Sequence, residues 1–125
     1  MKKSILFCAL FLAFTITFYA QETGPEIVFT SQVIDYGEIQ RGSDGIRVFE
    51  FTNTGDQPLI IAKVYSSCGC TIPKKPEEAI PPGEKGEIQV KYDTNRVGYI
   101  RKTITVNSNA KSTPIVSLKI KGTVL

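Results

Sequence analysis

Cys68-Gly69-Cys70 sets two thiols two residues apart, and one further cysteine, Cys8, lies near the N-terminus. In extended backbone, residues i and i+2 project to the same face about 6.6 Å apart, at ~3.3 Å rise per residue. That is near the upper end of the roughly 4.4–6.8 Å Cα separation a disulfide accepts, and a glycine between the two can bend the backbone and shorten the gap. Three chemistries are open to such a pair. It can close a local disulfide that pins the end of the preceding strand, which an oxidising compartment outside the cytoplasm favours. It can serve as a thiol redox site, or as a soft-metal site, since two thiolates on one face suit Cu(I) or supply half of a tetrahedral zinc site. It can also join this chain to another, covalently or through a metal. Gly69 and Thr71 are the supporting loop residues.

The rest of the sequence argues against catalysis. Histidine is absent, which removes the commonest general base, the Ser-His and Cys-His nucleophile pairs, and every His-containing zinc site. Asp35 with Glu38, and Glu77 with Glu78, are the nearest carboxylate pairs in sequence. They read as solvating surface charge, the second pair lying in a run with Lys74 and Lys75. No Gly-rich turn opens a helix after a strand, so nothing cradles a phosphate. No catalytic residue and no cofactor are expected.

The chain starts Met1-Lys2-Lys3 and continues with an apolar run from Ile5 to Ala20, broken only by Thr15 and Thr17, before polar Gln21-Glu22-Thr23. This order of basic, apolar and small residues is that of a signal peptide over residues 1 to about 20. The run is short for an uncleaved span of a ~30 Å hydrocarbon core. Phe7 and the four residues between Lys3 and Cys8 argue against lipid attachment at that cysteine, which leaves with the leader. Without Lys2 and Lys3 the 15 basic residues fall to 13, against 12 acidic. Near-neutrality with scattered charges is no footprint for nucleic acid.

About 105 residues then remain, room for one domain. From residue 26 the pattern has period two, with β-branched and aromatic residues between clusters of Gly, Pro, Asn and Asp. Ile27 to Ile39 reads as a first extended stretch, clearer from Val33, with residues 21–32 as a lead-in to a domain over 33–125. Ile46 to Asn53 carries Phe49 and Phe51 on one face, with Ile46 and Val48 on the other. Leu59 to Tyr65 is apolar enough for a central strand, and the four prolines of Pro73 to Gly83 read as a solvated loop. Ile88, Val90 and Tyr92, then Ile100, Ile104 and Val106, then Val116, Leu118 and Ile120 alternate cleanly, with Lys119 and Lys121 outward. About seven short strands predict an all-β, immunoglobulin-like sandwich, with a barrel as the alternative.

Asn53-Thr54-Gly55-Asp56-Gln57-Pro58-Leu59, Ser67-Cys68-Gly69-Cys70-Thr71, Pro81-Pro82-Gly83-Glu84 and Tyr92-Asp93, in that order, resemble the exported bacterial domain-of-unknown-function family DUF 1573 over about residues 33 to 124. Related architectures are the hydin-type and major-sperm-protein-like immunoglobulin domains. The resemblance implies an immunoglobulin-like fold, an extracytoplasmic address and a role in interaction, and its cysteine pair carries over to Cys68 and Cys70. The expected function is a non-enzymatic exported binding or structural module, periplasmic or otherwise of the cell envelope, whose partner is a protein or envelope component. The alternative is thiol redox or soft-metal (copper) binding through Cys68 and Cys70.

Overall fold

The computed structural model describes residues 23–125, and the expected signal peptide with Cys8 lies outside them. Eight strands form two four-stranded sheets, and none of the described residues is helical. The strands are β1 (Ile27–Phe29), β2 (Val33–Ile39), β3 (Ile46–Asn53), β4 (Ile61–Ser66), β5 (Thr71–Lys74), β6 (Lys85–Tyr92), β7 (Gly98–Ser108) and β8 (Ile115–Val124). Sheet one has the order β1-β3-β6-β5 and sheet two the order β2-β8-β7-β4. All pairings are antiparallel except β2 with β8, which run parallel.

Alternation builds the core, because every second side chain of a strand leaves the same face. Sheet one contributes Phe29, Phe49, Phe51, Ile88, Val90 and Tyr92, and sheet two Ile100, Ile104, Val106, Leu118, Ile120 and Val124, all buried. Burying each such side chain is worth about 1.5–3 kcal/mol. Phe29 and Phe51 meet at 5.5 Å between centroids, within the favourable range for tilted rings. Ile46 and Val48 are exposed on the outer face, as the alternation requires.

Three elements depart from the sequence reading. The stretch Ile27 to Ile39 is two strands in different sheets: residues 27–29, set with the lead-in, pair with β3, and Val33–Ile39 pairs with β8. Leu59 to Tyr65, read as central, yields an edge strand, because among the described residues it pairs with β7 alone, and a register shift between Ile61 and Lys63 interrupts that pairing. The Pro73 to Gly83 loop starts inside β5, whose outer edge has no strand neighbour and so tolerates Pro73, and it ends pinned, with Ile80 and Leu59 exchanging backbone hydrogen bonds of 2.8 and 2.9 Å.

At Gly122 a close approach combines with a positive φ to require glycine. Gly122 has φ of 145°, and a Cβ there would lie 2.8 Å from both the Gly37 carbonyl oxygen and the Tyr36 Cβ. It faces the irregularity between Asp35 and Glu38 where β2 crosses β8. No other residue type fits so close a crossing of two backbones.

Candidate functional site

The Cys68–Cys70 turn is the passage between the two sheets, joining β4 at the edge of sheet two to β5 at the edge of sheet one. Its entry is tied to sheet two, where the Ser67 amide donates to the Thr103 carbonyl at 3.1 Å and the Ser66 hydroxyl accepts from the Cys68 amide at 3.2 Å. Its exit is tied to sheet one, where the Cys70 carbonyl accepts from the Asp93 amide at 2.9 Å and buried Thr71 pairs with Tyr92. The two sulfurs stand at disulfide distance on Cα atoms 5.3 Å apart, shorter than a straight extended segment allows. Gly69, at the tip, has no neighbour that a Cβ would meet within 4 Å.

The two sulfurs have different surroundings. The Cys68 sulfur accepts from the Cys70 amide at 3.2 Å and from the Arg96 guanidinium at 3.7 Å. The Cys70 sulfur has the Thr71 hydroxyl at 3.8 Å, and its side chain packs on the hydrophobic core. Sequence reasoning missed Arg96, and no local signal marks it. It arrives from the turn after β6, whose Arg96 amide donates to the Asp93 carbonyl at 3.2 Å.

Beside the turn lies an open groove of about 590 Å³ between the Cys68–Cys70 turn, the loop from Gly42 to Gly45 and the turn after Tyr92. Its walls are braced by one another. The Gly42 amide donates to the Thr94 carbonyl at 3.1 Å, the Thr94 hydroxyl to the Ser43 carbonyl at 2.6 Å, and the buried Tyr36 hydroxyl to the Gly45 carbonyl at 2.7 Å. Burial is the main cause that holds the Tyr36 phenol above its ordinary pKa, with Arg47 over the ring pulling the other way. Ile46 and Ile72 flank Lys91 across the three strands at this end, and both are exposed.

A disulfide closing so small a loop removes little denatured-state entropy, about 1.6 kcal/mol by the loop-closure relation against ~3 for a 15-residue loop. Stability is therefore a weak reason for its presence. Among the described residues no three His, Cys, Asp or Glu side chains converge. Glu77 and Glu78 are exposed, and an Asp35 carboxylate oxygen accepts from the Gly37 amide at 2.8 Å.

The other motifs of the resemblance are joints. Asn53 is fully buried and exchanges backbone hydrogen bonds with Gly83 and Glu84, at 2.8 and 2.9 Å, so the Asn-Thr-Gly and Pro-Pro-Gly-Glu segments clasp each other. A Cβ on Gly55 would strike the Gly24 carbonyl oxygen. Tyr92-Asp93 clasps the cysteine turn in the same manner. The family model for DUF1573, a protein of unknown function, matches residues 27–124. The chain belongs to this family.

No curated protein matches this DUF1573 domain in sequence. Among solved structures, it is similar to a protein of unknown function from Porphyromonas gingivalis W83, with 19% identity and a TM-score of 0.72 over 86% of this chain and 51% of that one. The chain thus spans about half the length of that relative. PapD-like domain 7 of human CEP192 superposes with a TM-score of 0.62 at 8% identity, over 91% of this chain and 95% of that one. The periplasmic chaperone SfaE gives 0.58 at 8% identity, over 78% and 57%. At these identities the likeness is one of fold, an immunoglobulin-like, PapD-like sandwich.

Proposed function

We propose that this DUF1573 domain is an exported, non-enzymatic protein-binding module of the cell envelope, and that its partner seats in the groove beside the Cys68–Cys70 turn. The observation that carries this reading is the pair of exposed isoleucines, Ile46 and Ile72, on either side of Lys91 at the mouth of a groove whose loops are held in place by hydrogen bonds. A rigid scaffold that exposes apolar side chains at one end is the usual form of a recognition surface. The PapD-like fold shared with a periplasmic chaperone supports a protein partner. The leader-like residues 1 to 20 support export, and the absence of histidine supports a role without catalysis.

The test is photo-crosslinking in intact cells, from a probe placed at Ile72 and, as control, at Val28, which is exposed on edge strand β1 of the same sheet. A discrete adduct from position 72 that disappears in an I46E variant, with none from position 28, is the expected result. Equal labelling from both positions, or an adduct indifferent to I46E, rejects the groove as the binding site.

A further inference from the structure

We propose that Cys68 is the exchanging sulfur of a thiol–disulfide exchange site that oxidises a dithiol in a partner protein, with Cys70 as the paired sulfur and Arg96 as the positioning residue that holds the Cys68 thiolate. The argument rests on the asymmetry of the pair. Two donors point at the Cys68 sulfur, the Cys70 amide at 3.2 Å and the Arg96 guanidinium at 3.7 Å. Both favour negative charge there, as cations and backbone N–H groups do for reactive cysteines in general. The Cys70 sulfur has a single hydroxyl at 3.8 Å and its side chain lies against the core, so the groups that hold a thiolate gather at Cys68. Gly69 leaves the approach open.

The step balances as follows. One thiolate of the partner dithiol attacks the Cys68 sulfur, the Cys68–Cys70 bond breaks, and Cys70 departs with the electron pair and takes up a proton. The partner's second thiolate then attacks the partner sulfur of the mixed disulfide and expels Cys68 as a thiolate. The partner loses two electrons to become a disulfide, and this chain gains them as a dithiol. Arg96 and the Cys70 amide meet the charge that appears on Cys68 in the last step, and a stabilised reduced form makes the oxidised form the better oxidant. The charged groups that line the adjoining groove are Asp44, Lys91 and Asp93. Asp93 gives one carboxylate oxygen to the Asn95 amide and Asp44 gives one to the Ile46 amide, which leaves Arg96 as the charged group in contact with the Cys68 sulfur.

The exchange does not depend on the groove binding anything, so it is tested with small thiols on the whole domain. Reduced protein with the single substitution C70S, incubated with oxidised glutathione, is expected to carry one glutathione on Cys68, with the other glutathione released as its thiol, and C68S is expected to label at least several-fold more slowly. In the reduced wild type, the pH profile of iodoacetamide alkylation at Cys68 is expected to fall below the ordinary thiol pKa of about 8.5, to move upward in R96Q and to return in R96K. A Cys68 profile at or above the ordinary value, no change in R96Q, or faster labelling of Cys70 each overturns the proposal. Circular dichroism of R96Q identical to wild type separates loss of charge from loss of fold. Success here with no crosslink from Ile72 leaves exchange standing without the groove, and the converse leaves the groove standing without exchange.

Discussion

The side-chain amide of Asn53 donates to the Ile80 carbonyl at 2.9 Å, across 27 residues of chain, from a position with no solvent exposure. The same NH2 donates to the Gln57 carbonyl at 2.7 Å, and its oxygen accepts from the Glu26 and Gly55 amides at 3.3 and 3.0 Å. Every hydrogen-bonding capacity of the side chain is used, and three segments depend on it: the lead-in at Glu26, the turn that holds Gly55 and Gln57, and the end of the loop at Ile80.

Replacing Asn53 with Ala therefore strands the Glu26 and Gly55 amides and the Gln57 carbonyl at once, while the Ile80 carbonyl keeps the Leu59 amide. Each unsatisfied buried group costs about 1–3 kcal/mol, so N53A is expected to lose at least about 3 kcal/mol, read as a drop in the urea midpoint with an unchanged slope. Asn53→Asp is expected to destabilise as well, since it takes away the donors to Gln57 and Ile80 and buries a charge.

Two glycines separate architecture from access. Gly122→Ala places a Cβ against the backbone of Gly37 in the parallel crossing of β2 and β8, and a loss of roughly 2 kcal/mol or more is expected. Gly69→Ala meets nothing within 4 Å, and its stability is expected to stay within about 0.5 kcal/mol of wild type. Thermal melts of the two variants side by side give the comparison; a G69A loss as large as that of G122A contradicts the open tip.

The raised pKa of Tyr36 has a definite sign in stability. Its folded pKa lies above the ordinary tyrosine value of 10.0, chiefly through burial. The unfolded chain therefore deprotonates first, and stability present below about pH 10 is lost as the pH rises through the folded pKa. Tyr36→Phe is expected to lose about 1 kcal/mol at neutral pH with the hydrogen bond to Gly45, and to show a shallower alkaline decline. An alkaline unfolding profile as steep as wild type in Y36F excludes Tyr36 as its source.

Strands β3, β6, β7 and β8 are legible in the sequence because their alternation is uninterrupted, from Phe49 and Phe51 to Leu118 and Ile120. The division of β1 from β2 is not. It turns on a change of sheet around Thr30 to Gln32, and the partner of β2 is β8, about 85 residues away. β5 is hidden by Pro73, a residue that marks loops except on an unpaired edge. In the site, Cys68 and Cys70 announce themselves by spacing alone. Arg96 does not, since it lies 28 positions along the chain from Cys68, past strand, loop and strand, before the turn after β6 brings it to the sulfur.

The parallel pairing of β2 with β8 also has a consequence in time. Among the described residues Val33 to Ile39 finds its strand partner in the last strand of the fold, and β8 lies between β2 and β7. Hairpins such as β7 with β8 can close early over short loops, but this pairing must bring together segments separated by most of the domain, a contact of high sequence separation that slows folding. Until Lys119 to Val124 is available, sheet two lacks the strand that joins its first member to the rest. The second sheet is therefore complete only once the final segment is in hand, and a version ending before Ile115 has no complete sandwich to reach.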